Sequence, residues 1–234
     1  MSRFHTRRII RIHCCASLIL SALLAVASVA AQTPPDAFVV IELWSELDPL
    51  VDDIAGTPVD RDIAVNRLLD EAQTTISGLV YGYRFTYEPG DPARQIDEAF
   101  DLEPYAEIVR GDPRLDVVQT WVEQDTLRAR ISYALDTTQI PWFNGWHSSA
   151  HIRSAGVGRV SVMGGPTVKS RALSDGVRDA VRNYARQIEF NRPSRITGAA
   201  ILADAPRYGV QDGNYQALVT IYLQIDAIET YRYY

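Results

Sequence analysis

The sequence predicts an α+β protein made of two similar modules, each a helix packed on a small, mainly antiparallel sheet. Three observations predict it. Two segments carry apolar residues at helical spacing, and several others carry them at every second position. The order helix, strand, loop, alternating strand occurs twice, around 59–135 and 172–228. The 234 residues, 47% hydrophobic and 22% charged, suffice for one large domain or two small ones.

Residues 1–31 have the three parts of a cleavable secretory signal: a basic start, an apolar run from Ala16 to Val29, and small residues before Gln32. Cleavage is expected near Ala31. The arginines of Thr6-Arg7-Arg8-Ile9-Ile10-Arg11 leave both the general secretory and the twin-arginine route open. No later stretch is apolar enough for a membrane span, so the expected address is the periplasm or the cell envelope. Without the leader's four arginines, 19 basic side chains face 29 acidic ones, a net charge of −10. That balance argues against nucleic acid, whose phosphates need a cationic footprint. Cys14 and Cys15 both lie in the leader. The mature chain therefore excludes disulfides, zinc thiolates and a cysteine nucleophile.

Phe38–Trp44 (FVVIELW) reads as a strand. A helix opens at Thr57-Pro58-Val59-Asp60, with Thr57 as N-cap and Pro58 at the first helical position. Its apolar stripe is Val65, Leu68, Leu69, Ala72, Ile76 and Leu79, and Gly78 is expected to end it. Val80–Tyr87 alternates, placing Tyr81, Tyr83, Phe85 and Tyr87 on one face. Residues 88–115 form an acidic, turn-rich insertion with room for a short helix around Ala93–Phe100. Val117–Val122 and Leu127–Leu135 form a hairpin across residues 123–126.

The irregular segment 138–153 is the expected boundary, giving a leader over 1–31, an N-terminal module over 32–137 and a C-terminal module over 138–234. The second half then has a strand at Gly156–Val162. The strongest helical periodicity in the chain follows: Leu173, Val177, Ala180, Val181, Tyr184, Ala185 and Ile188. Arg195–Leu202 is a strand, Asp204–Asn214 a loop and Tyr215–Ile228 a long final strand with Ala217, Val219, Ile221, Leu223 and Ile225 on one face.

No catalytic constellation emerges, and neither a metal nor a cofactor is expected. His147 and His151 are four apart, but Ser148 stands where a zinc-protease motif requires Glu. No Gly-x-Ser-x-Gly elbow accompanies them. Lys169, the only lysine of the chain, lies in the polar run Thr167-Val168-Lys169-Ser170, with nothing nearby in sequence to activate it. Two features remain as candidate binding residues. Arg178, Arg182 and Arg186 form a column at i, i+4 and i+8, able to grip an acidic partner or to pair with Asp175 and Asp179 at i, i+3. Trp142, Phe143 and Trp146 cluster within five positions, either as a contact surface for protein or glycan or as a plug between modules.

From Gly156 to Ile225 the order of elements carries a resemblance. A Gly-x-Gly strand leads to Arg171-Ala172-Leu173-Ser174-Asp175 and Ala180-Val181-Arg182-Asn183-Tyr184-Ala185-Arg186. A strand follows, and then Asp212-Gly213-Asn214-Tyr215-Gln216-Ala217-Leu218-Val219. This resembles the small α+β domain of outer-membrane and flagellar-collar accessory proteins of the FlgT and FlgP type. Residues 61–87 and 128–135 are similar more faintly. The resemblance implies a non-enzymatic structural or assembly role in the envelope, through protein–protein contacts, and assigns no functional residues. The missing lipobox sets the chain apart from lipidated members. Two functions follow as expectations: an envelope structural or assembly protein, and alternatively a periplasmic module binding glycan or a small ligand. The sequence leaves oligomerisation open.

Overall fold

The computed structural model describes residues 37–47, 61–148, 150–165, 167–188 and 193–231. The expected secretory signal, its expected cleavage point and the expected helix start at Thr57–Asp60 lie outside them. The architecture is α+β, and every strand pairing described is antiparallel. The elements are β1 (Phe38–Glu46), α1 (Arg61–Val80), β2 (Tyr83–Glu88), β3 (Ala99–Pro104), β4 (Leu115–Glu123), β5 (Thr126–Ala134), α2 (Gln139–Trp146), β6 (Ile152–Ser161), α3 (Val168–Ile188), β7 (Arg195–Leu202), β8 (Arg207–Gln211) and β9 (Asn214–Glu229). One sheet has the order β1-β5-β4. The other runs β3-β2-β7-β9-β6, with β8 also paired to β9.

Alternation sets which face of each strand is buried. Val39, Ile41 and Leu43 of β1 and Leu127, Ala129, Ile131 and Tyr133 of β5 point inward, as do Ala217, Val219, Ile221 and Leu223 of β9. Both tight hairpins turn on two residues with positive φ: Gln124 and Asp125 (47° and 59°), and Asp212 and Gly213 (51° and 71°). These turns match the right-handed twist of the strands they join.

The boundary expected at 137/138 does not divide the core. β2, from the first half, pairs with β7 of the second through Tyr83↔Ala200 to Tyr87↔Ile196. One apolar cluster holds Ile41, Ile76, Phe85 and Ile131 together with Val177, Val181, Ile196 and Ile221. Residues Ala37–Tyr234 accordingly form one compact unit. The irregular composition of 138–153 misleads because Pro141 sits in the first turn of α2, where its missing N–H breaks no helical bond.

Other expectations shift in detail. In α1 the buried stripe is Ala64, Leu68, Ala72, Ile76 and Leu79, with Val65 exposed. Gly78 lies inside the helix; the chain leaves it at Gly82, whose φ of +74° is cheap only for glycine. The insertion holds a single 3₁₀ turn at Pro92–Arg94 and then β3, rather than a helix over 93–100. The loop expected over 204–214 contains β8. Among the described residues, no helix is long and apolar enough to cross a membrane.

Candidate functional site

The aromatic segment becomes α2, seated on the outer face of the six-stranded sheet. Asp136 starts this helix: its Oδ1 accepts hydrogen bonds from the backbone N–H groups of Thr138 and Gln139, both at 2.8 Å, and from the Thr138 hydroxyl at 2.7 Å. These bonds, with the Arg114 guanidinium at 2.6 Å, push its carboxyl down to about 2. Arg114 also forks onto Asp112, at 2.8 and 3.1 Å, joining the end of the insertion to the start of α2. Gln139 is buried, and its amide is fully used. Nε2 donates to the hydroxyls of Tyr81 (2.6 Å) and Tyr133 (3.1 Å), while Oε1 accepts from the Asp136 N–H (2.9 Å).

With the helix fixed, its tryptophans take different positions. Trp146 is buried against Ala199 and Ile201 of β7, beside Tyr222 of β9. Trp142 stays 43% exposed, edge-on to Trp146 (6.0 Å between centroids) and to Tyr105 (6.3 Å), which is itself 42% exposed. The Arg84 guanidinium lies 5.5 Å from the Tyr105 ring centre. Phe143 packs on the main core and stacks on His147 at 3.9 Å, and His151 stacks on Trp146 at 4.4 Å. The two histidines thus lie against aromatic rings, and His147 Nδ1 is 2.8 Å from the Phe143 carbonyl.

The arginine column is placed elsewhere, on α3. Arg178 pairs with Asp175, and Arg182 with Asp179 at 3.5 Å. Both also turn to Glu98 of the insertion: Arg182 through Nε at 2.9 Å and through Nη2, Arg178 at 3.9 Å. Burial works against the Glu98 carboxylate, but hydrogen bonds from Arg182 and from Tyr87 (2.7 Å) outweigh it and hold the group below its ordinary value. Arg178 and Arg182 therefore make the i, i+3 pairs with Asp175 and Asp179 that the sequence offered, and add a tie to Glu98 that cross-links the fold. Arg186 is exposed at the far end. The structure does not bring the column and the aromatic helix into one site.

A protein-family model matches residues 26–231, a span that includes every element described above. The chain belongs to that family. It is also similar to an uncharacterized protein of Treponema pallidum (strain Nichols), 23% identical over 197 residues, 83% of this chain and 82% of the relative. No solved structure matches.

Within the family's span, a buried polar cluster escaped the sequence reading. Lys169, at the start of α3, donates to Glu71 Oε2 of α1 at 3.1 Å and to the carbonyl of Trp44. Its ammonium sits 3.8 Å from the Trp44 ring centre and 5.5 Å from that of Tyr208. Burial raises the Glu71 carboxyl, opposed by Lys169. Beside this pair, the Tyr215 hydroxyl donates to the buried Glu46. The local run Thr167–Ser170 is polar and gives no hint of this, because the partners lie about a hundred residues away. The one available signal was that Lys169 is the only lysine of the chain.

Proposed function

We propose that the chain is an exported, non-enzymatic envelope protein of the structural or assembly kind found among outer-membrane and flagellar-collar accessory proteins. It works by protein–protein contact. The observation that carries this reading is the exposed Trp142–Tyr105 pair, with Arg84 beside it, on a helix whose other tryptophan is buried. Aromatic and arginine side chains on a rigid seat lose little entropy on binding and dominate protein contacts. The basic and apolar leader pattern of residues 1–31 supports the exported address.

The reading includes two related modules. Each half runs strand, helix, strand, then a hairpin closed by two positive-φ residues, and the strands that follow the two helices, β2 and β7, pair with each other. The first module differs by inserting residues 89–114 between its second strand and its hairpin.

The test compares wild type, Trp142→Ala and Trp146→Ala by melting temperature and by mild cross-linking in envelope preparations. Trp142→Ala should melt as wild type and lose its envelope protein adduct. Trp146→Ala should melt earlier, because truncating a buried Trp costs about 3–5 kcal/mol. An unchanged adduct in Trp142→Ala, or retention of wild type on insoluble glycan instead of protein, overturns the contact reading; the latter result would favour a saccharide platform.

A further inference from the structure

We propose that the chain carries a second site, a polar cavity between α1, α3 and the insertion segment 102–108 that binds a small amine-bearing molecule. The cavity encloses about 370 Å³, within the range typical of small-molecule sites. It lies on the inner face of the large sheet, since Tyr83 lines it and Tyr83 shares the buried face of β2 with Phe85 and Tyr87. The aromatic helix is on the opposite face, with Ala199 and Ile201. The site is thus distinct from the contact surface proposed above.

Its wall is fixed. Gln73 Nε2 donates to the Ile108 carbonyl at 3.0 Å, and Ser77 Oγ accepts from the Ile108 N–H at 2.9 Å, so the insertion is latched to α1 across more than thirty residues of sequence. Asp70 and Glu107 stand at the exposed mouth, while Ser77 and Tyr83 form the buried floor. No Lys, Arg or His is among the residues lining it. Arg110 reaches Asp70 from outside, at 3.7 Å.

The floor is where the structure points to a ligand. Tyr83 is 6% exposed, and its hydroxyl has no hydrogen-bond partner among the described residues. A buried polar group in that state is costly and calls for a partner. The fold also makes room for it: a Cβ on Gly78 would strike the phenol oxygen and come within 2.8 Å of Leu202 Cδ1. Glycine inside a helix is unfavourable in itself, so its place here follows from the ring above it. Burial, and then the Glu107 charge, push the phenol upward, keeping it a protonated donor. An acidic mouth over a hydroxylic floor suits a cationic amine that also carries a hydroxyl or carbonyl acceptor, as in amino alcohols and amino sugars.

The test is titration of the purified chain with ethanolamine, glucosamine and galactosamine, with glucose as the neutral comparison, followed by calorimetry and by shifts of backbone amide signals. At least one amine should bind saturably, one per chain, shifting signals of α1 and of residues 102–108. Tyr83→Phe and Glu107→Gln should each weaken it by about tenfold or more, the loss expected for one hydrogen bond or charge pair. Trp142→Ala should bind as wild type. Tyr83→Phe should fold normally, since the hydroxyl it removes has no partner, and its melting temperature checks this. The proposal is overturned if none of the three amines binds, if glucose binds as tightly as glucosamine, or if binding is indifferent to both cavity variants.

Discussion

The two long helices solve the same packing problem differently. α3 lies flat on β6 and β9 and is one-sided: Ala172, Leu173, Val177, Ala180 and Val181 face inward, while Asp175 and Asp179 flank the β6 edge and pair with Arg178 and Arg182. It approaches β6 so closely that glycine is required on both sides. A Cβ on Gly158 would run into the Ala172 carbonyl oxygen and within 2.5 Å of the Gly176 N, and one on Gly156 would meet the backbone of Gly176 and Ala180. α1 begins one-sided but becomes enclosed, and six consecutive residues from Thr75 to Val80 are buried. A helix on the periphery advertises its face in its periodicity; a helix threaded between sheets does not. This is why the α3 stripe is legible in sequence and the α1 stripe is read rotated, with Val65 in place of Ala64.

The sheet edges differ in the same sense. At β6, Asp179 and Asp175 of α3 accept the outward N–H groups of Val157 and Arg159, each at 3.0 Å, and Asn183 donates to the Ala155 carbonyl at 3.0 Å. Side chains at i, i+4 and i+8 thus close an edge that would otherwise template another strand. At β4 none of the described helices does this. Its residues are almost all exposed, and the edge is interrupted only by a bulge between Val117 and Gln119.

The largest expected effect breaks the tie between the two helices. Lys169→Met leaves Glu71 buried beside Glu46 without its cation, and breaking one partner of a buried pair costs about 3–5 kcal/mol. The double variant Lys169→Met/Glu71→Leu should recover most of that loss in urea denaturation. Both should unfold in a single transition, because the halves share one core; two separated transitions would restore independent modules.

A smaller effect sharpens the contrast in packing. Gly158→Ala should destabilise by about 1–3 kcal/mol, the usual cost of overfilling a rigid site. Gly145→Ala in α2, with nothing within 4 Å of the new Cβ, should be neutral or stabilising. Thermal melts of the pair decide it, and equal melting temperatures would refute the close approach of α3.

The smallest effect depends on pH. The folded Asp136 carboxyl, at about 2, lies below its ordinary value near 4. Its contribution to seating α2 is therefore complete above about pH 4 and is lost as the pH falls through about 2. Tryptophan fluorescence followed across that window should show a step in wild type that Asp136→Asn lacks. The same step in both proteins would place the acid sensitivity elsewhere.

By itself the sequence determined what depends on neighbours along the chain: the amphipathic face of α3, the alternation of β5 and β9, and the turn between β4 and β5. Local sterics and burial on one face leave a period that can be read without knowing the partner. It also located the aromatic cluster, though not its division into a buried Trp146 and an exposed Trp142. Only the tertiary structure decided which strands meet and which charges pair. β2 joins β7, Arg182 turns to Glu98 across 84 residues, and Lys169 reaches Glu71 across 98. Tyr83 and Ile108 line one cavity, where Ile108 is held to Ser77 across 31 residues. An acidic chain offers many carboxylates to each cation, and strand alternation fixes a face but not a neighbour. The choice among partners is made by the shape of the whole core, which no local period encodes.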